Sequence, residues 1–127
     1  MALLKLYKWT IASAAIVLIL LMLPSQVFPK APRSPFELDK LVHAILFGAV
    51  TAIFCGEHRA WKKINPPFFL SFFIFGIFAL ITEASQLFTR TRHYDLLDLR
   101  ADLAGIASAL LIMRIIAFYG KNARGKE

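Results

Sequence analysis

The chain has 127 residues, of which 58% are hydrophobic and only 18% charged, with a formal net charge of +7. Soluble domains average about 45–50% apolar and about 25% charged residues, and a chain this short has too little interior to bury the excess, so an ordinary water-soluble domain is excluded. The single Cys55 rules out an internal disulfide and a multi-cysteine metal cage. No basic stripe is interleaved with aromatics, so the positive balance reads as topogenic rather than as nucleic-acid binding.

The first apolar run covers about Trp9 to Leu23, is preceded by Lys5 and Lys8, and ends at Pro24. A positive start before a short apolar core is also the pattern of a signal peptide, but no small-x-small cleavage site follows, which predicts an uncleaved helix. Pro24, Pro29, Pro32 and Pro35 predict an extended loop. The second run, about Leu41 to Gly56, is entered through Asp39, a candidate N-cap or first-turn acid favoured by the positive helix start. A basic loop is expected from Glu57 to Lys63, with Trp61 at the interface and His58 solvated. The third run, Pro66 to Phe88, has no charge from Ile64 to Thr82, long enough to cross a hydrocarbon core of about 30 Å; its two prolines fit a helix start. The fourth run, about Leu99 to Tyr119, carries Ala101, Gly105 and Ala109 at a spacing that lets another helix come close. Arg114 near its end can snorkel, and a frayed tail is expected from residue 121.

These runs predict an all-α integral membrane bundle of four transmembrane helices. With both termini in the cytoplasm, nine basic residues (Lys5, Lys8, Arg59, Lys62, Lys63, Arg114, Lys121, Arg124 and Lys126) lie inside and six (Lys30, Arg33, Lys40, Arg90, Arg92 and Arg100) outside. That bias favours this orientation.

The polar residues then gather at one membrane face. Asp39 and His43 are four apart and share a face near the outer end of the second helix. Glu83, Gln86 and Arg90 form a similar stripe on the third, and Asp95, Asp98 and Asp102 on the fourth, where Gly105 continues the stripe. The resulting expectation is a small extracytoplasmic pocket with His43, Glu83 and Asp98 as candidates for proton transfer. Asp39, Lys40, Gln86, Arg90, Arg92, Asp95 and Asp102 are the candidate binding residues, and Lys40, Arg90, Arg92 and Arg100 the counter-charges. Basic residues there suit a phosphate or carboxylate on a lipid headgroup. A buried ion-pair network locking three helices together is the structural alternative. No His-x-x-x-His pair or Cys cluster supports a metal, and neither metal nor cofactor is expected. His93 is read as a solvated loop residue, and Ser71, Ser85 and Ser108 as packing residues rather than nucleophiles.

Asp39-Lys40-x-x-His43-x-x-x-Phe47, Glu83-x-x-Gln86-x-x-x-Arg90-x-Arg92-x-x-Asp95-x-x-Asp98 and Asp98-x-x-x-Asp102-x-x-Gly105 together resemble the VanZ-like family of small bacterial membrane proteins. The resemblance covers about residues 38 to 115. It makes residues 1–38 a first transmembrane helix and proline-rich loop, residues 38–115 a VanZ-like helical membrane domain, and residues 116–127 a basic cytoplasmic tail. Two departures stand out: family members commonly carry Asn where this chain has Asp102, with Arg100 or Arg92 as candidate balancing charges, and a later Gly is represented by Ser108 or Ala109.

The resemblance implies a multi-pass protein of the bacterial cytoplasmic (inner) membrane with an envelope role and a link to tolerance of teicoplanin-type glycopeptides. The leading expectation is an extracytoplasmic site that binds an anionic headgroup, a lipid-linked cell-wall precursor or a lipophilic glycopeptide. Binding is favoured over catalysis because basic residues flank the carboxylates and no nucleophile is evident. The alternatives are an acid–base enzyme acting on a lipid-linked substrate and a structural subunit of a membrane complex. Membrane lipids are the expected partners, and nucleic acid is not one.

Overall fold

A computed structural model describes residues 1–23, 38–89 and 95–125. They form five helices and no strand: α1 (Ala2–Leu6), α2 (Lys8–Met22), α3 (Leu38–Lys62), α4 (Phe68–Gln86) and α5 (Leu96–Arg124). Helices α3, α4 and α5 are each long and apolar enough to cross a membrane; α2 is apolar and shorter, at 15 residues. A break at Tyr7 separates it from α1.

Two boundaries differ from the sequence reading. The expected loop from Glu57 is helical through Lys62. The chain turns where Lys63 takes a left-handed backbone with φ of 62°, a conformation that ends a helix. Gly56 inside α3 does not stop it, because a glycine costs a helix only about 1 kcal/mol and the flanking residues are packed. Likewise the tail expected to fray stays helical to Arg124. The start of α4 follows the sequence: Pro67 occupies the cap, and its carbonyl accepts the Ser71 N–H and, at 2.6 Å, the Ser71 hydroxyl. Asp95 caps α5 by accepting the Leu97 N–H at 2.8 Å, which uses one of the orphan donors of a helix start.

The bundle is turned inside out relative to a soluble protein. Phe69, Phe73, Ile77 and Ile81 of α4 and Leu111, Ile112, Ile115 and Ile116 of α5 are exposed, whereas His43, Thr51, Ser71, Thr82, Glu83, Gln86, Asp98 and Asp102 are buried. An apolar exterior around a polar interior is the arrangement lipid favours. The apolar core is built from Phe47, Val50, Phe75, Ala79, Ile106 and Leu110, with Val17 and Leu21 of α2 packed into it. Phe47 meets Phe78 with ring centroids 5.5 Å apart, and Phe54 meets Phe75 at 5.3 Å.

Helices α3 and α5 make the closest crossing. A Cβ on Gly105 would overlap the Ala44 carbonyl oxygen and stand 2.8 Å from its carbon, and one on Gly48 would stand 3.3 Å from the Gly105 carbonyl oxygen. The small residues of the fourth run thus admit α3, as their spacing predicts.

The end of the bundle opposite the carboxylates is tied by polar contacts. Glu57 of α3 accepts the Trp9 and Thr10 backbone N–H groups at 3.0 and 2.9 Å and the Thr10 hydroxyl at 2.7 Å, so a side chain from α3 caps the start of α2. Tyr7 Oη lies 2.9 Å from His58 Nδ1, which places His58 in a helix with a partner rather than in a solvated loop. Arg114 donates to the Pro66 carbonyl at 2.7 Å and lies over the Phe68 ring.

Candidate functional site

The start of α3, the end of α4 and the start of α5 meet at one end of the bundle. His43 enters from the second turn of α3, Glu83 from the last turn of α4, and Asp98 and Asp102 from successive turns of α5. His43, Glu83 and Asp102 have no solvent exposure and Asp98 has 6%. The imidazole is the hub. Its Nδ1 lies 2.9 Å from Asp102 Oδ1 and 3.7 Å from Glu83 Oε1, and its Nε2 lies 3.9 Å from Asp98 Oδ2.

An ionised carboxylate can only accept a hydrogen bond, so opposite ionised Asp102 the Nδ1 carries the hydrogen. In the neutral ring Nε2 then keeps its lone pair, facing Asp98. Asp102 therefore fixes the tautomer and orientation of His43, as a carboxylate does for a general acid–base histidine. Three carboxyls around one imidazole are costly to hold charged away from water, and sharing protons or holding a cation lowers that cost.

The buried hydroxyls nearby behave differently. Thr51 donates to the Phe47 carbonyl at 2.8 Å and Thr82 to Ala79 at 2.7 Å, and the less buried Ser85 donates to Ile81 at 2.7 Å. Each is satisfied within its own helix, as the Ser71 hydroxyl is at the Pro67 carbonyl. By contrast, both Glu83 carboxylate oxygens, Asp98 Oδ1, Asp102 Oδ2, Gln86 Nε2 and His43 Nε2 are buried without a hydrogen-bond partner among the described residues. The Asp95 amide approaches Glu83 from the start of α5 without closing a bond of standard geometry. Buried polar atoms in folded proteins are nearly always paired, so this group of unpaired atoms makes the cluster the candidate site.

Asp39 lies exposed one turn before His43, and one donor atom each from Asp39, His43 and Asp98 fall within 4.8 Å of one another. The same holds for His43, Glu83 and Asp102 deeper in the bundle. Gln86 is buried one turn after Glu83.

The remaining candidates stand at the rim or outside the described residues. Asp95 caps α5, with its other oxygen 3.7 Å from Lys40 Nζ. Arg100 is exposed on α5, and Asp102, for which it was a candidate counter-charge, faces His43 instead. Arg90, Arg92 and His93 lie outside the described residues. Among the described residues the buried part of the site is thus acidic around one histidine, and Lys40, one of the basic groups that favoured anion binding, sits at its edge beside Asp95. The sequence spacing identified each helix's stripe but not the pairing of His43 with Asp102, which are 59 residues apart.

Beside the site, Ala44, Gly48, Gly105 and Met113 line an apolar groove of about 400 Å³ along the α3–α5 crossing. It begins next to His43 and follows the helices away from the polar end.

No curated protein and no solved structure matches the chain. The model of the VanZ/LLP1 family matches residues 4–117, a span that takes in α3, α4, most of α5 and every residue of the buried cluster, and the chain belongs to that family.

Proposed function

We propose that this protein works in the bacterial cytoplasmic membrane, with both termini in the cytoplasm and its polar end outside, as an acid–base site for the headgroup of a lipid-linked envelope precursor. The observation that carries the reading is the His43–Asp102 contact of 2.9 Å, sealed from solvent, with the other imidazole nitrogen unpartnered among the described residues. His43 is the proton-transfer group, Asp102 orients it, and Glu83 is the second acid–base candidate. The groove leading from Ala44 offers an apolar path for an acyl or prenyl chain while the headgroup stays at the polar end.

The test is product formation. Protein reconstituted into vesicles containing a polyprenyl diphosphate-linked sugar is assayed by mass spectrometry for a changed headgroup. His43→Asn and Glu83→Gln are each expected to lower turnover by about 10²-fold or more, the usual scale of general acid–base catalysis. Wild-type vesicles that form no product from diphosphate or monophosphate prenyl carriers overturn the enzymatic reading.

A binding role without chemistry is the second reading, favoured by the Lys40–Asp95 pair at the rim, which offers a cation to an anionic headgroup. Under it Glu83→Gln retains part of the affinity for the precursor or for a lipophilic glycopeptide. Expression of the protein then lowers susceptibility to teicoplanin in a sensitive host.

A further inference from the structure

We propose that Asp39, His43 and Asp98 form a binding site for a divalent transition cation of the Zn²⁺ or Mn²⁺ class. The proposal rests on reading this end of the bundle as a working site, with Glu83 left as the acid–base group when a cation holds His43 Nε2; its test measures metal rather than turnover. The three side chains bring one donor atom each to within 4.8 Å of one another. They come from the first two turns of α3 and the first turn of α5, so the closest crossing in the bundle fixes their spacing.

The histidine supplies the independent observation. Its ring is fully buried, and its Nε2 has no hydrogen-bond partner among the described residues while facing Asp98 Oδ2 at 3.9 Å. The opposite nitrogen faces Asp102 at 2.9 Å. A metal-bound histidine characteristically donates its other ring N–H to a carboxylate, which holds the lone pair on the metal and raises its basicity. Asp102 is in that position. His43 Nε2 and Asp98 Oδ2, 3.9 Å apart, need close by only a few tenths of an ångström to share a cation with bonds of about 2.0–2.2 Å, and Asp39, within 4.8 Å, closes in from the surface.

One imidazole nitrogen with two carboxylates selects a borderline cation over Ca²⁺ or Mg²⁺, which take oxygen ligands almost throughout. The cation also answers the charge problem of the cluster, since two positive charges offset carboxylates that a single imidazole cannot. Asp39 is exposed, so the site opens toward the membrane face. Three protein ligands leave a coordination position there for water or a phosphate oxygen, the plan of a catalytic rather than a structural site.

The experiment uses the full-length protein, purified in detergent and stripped with a chelator, then titrated with Co²⁺ followed by visible absorption and displaced with Zn²⁺ or Mn²⁺. One equivalent of Co²⁺ is expected, displaced by Zn²⁺. Asp98→Asn and Asp39→Asn are each expected to weaken binding at least tenfold, and Asp102→Asn by about 10–100-fold as an orienting residue. Asp39 is at the surface, so its variant is the one least exposed to misfolding; thermal unfolding checks the others. Glu83→Gln is expected to weaken binding less than Asp98→Asn. No saturable Co²⁺ or Zn²⁺ binding by folded wild-type protein overturns the proposal, and so does binding that survives Asp39→Asn and Asp98→Asn but is lost in Glu83→Gln. Turnover by metal-stripped protein that binds no cation leaves the acid–base reading standing and removes only this one.

Discussion

Gly105 of α5 presses against the backbone of Ala44 on α3, so closely that a methyl group at Gly105 would occupy the place of the Ala44 carbonyl. The contact lies beside the chemistry: His43 precedes Ala44, and Asp102 is one turn before Gly105. The 2.9 Å spacing of His43 and Asp102 depends on this approach of the two helices.

Gly105→Ala is therefore expected to destabilise the bundle by about 1–3 kcal/mol, the usual cost of overpacking, and to push His43 away from Asp102. Gly48→Ala, whose Cβ would stand 3.3 Å from the Gly105 carbonyl oxygen, is expected to cost less; Gly56→Ala, with nothing within 4 Å, is expected to be neutral or to gain up to about 1 kcal/mol in helix propensity. Thermal unfolding in one detergent ranks the three, and any other order would mean that α3 and α5 do not cross at Gly105.

The polar cluster separates function from stability. If His43, Glu83, Asp98 and Asp102 were a structural lock, removing Glu83 would leave its partners stranded and destabilise the protein by several kcal/mol. Both Glu83 oxygens, however, have no hydrogen-bond partner among the described residues. Glu83→Gln or Glu83→Met is expected to leave the unfolding midpoint unchanged or raise it by the equivalent of about 1–4 kcal/mol while lowering turnover by about 10²-fold or more. A clear fall in the midpoint for both would support the lock instead.

Much of this arrangement was legible in the sequence. The long apolar runs, the polar stripes at their ends, the prolines opening α4 and the small residues of α5 each follow from local pattern, and the family resemblance follows from the same residues. What local pattern misses is which stripe faces which. Asp102 is close to Arg100 in sequence, yet the helix turns Arg100 outward and presents Asp102 to a histidine from another helix. Asp95 is read as a member of the site stripe, and local pattern does not show that it also caps α5. Glu57 and His58 read as loop residues because Gly56 precedes them, whereas their partners, Thr10 and Tyr7, lie about fifty residues upstream.

The Glu57 cap gives a stability prediction remote from the site. Its carboxylate serves two backbone N–H groups and one hydroxyl at the start of α2, where the helix dipole also favours negative charge. Glu57→Ala is expected to cost about 1–2 kcal/mol, typical of a lost N-cap, and to loosen α2, seen as faster hydrogen exchange at Trp9 and Thr10. Thr10→Ala removes one of the three bonds and is expected to cost less. Substrate or metal binding at the far end should be unchanged in both, and a loss there would mean that α2 supports the site directly.

The orientation of the bundle carries the envelope reading, and Leu97 reports on it. It is exposed in the first turn of α5, one residue before Asp98, whereas Cys55 is buried at 2% exposure. In a Cys55→Ala background, Leu97→Cys is expected to react with a membrane-impermeant maleimide in intact cells. Gly120→Cys, near the far end of α5 with open space around it, is expected to react only after lysis. The reverse pattern would put the His43 cluster on the cytoplasmic side. A lipid-linked envelope precursor could then be met only before export, and the search for a substrate would move to the cytoplasmic leaflet.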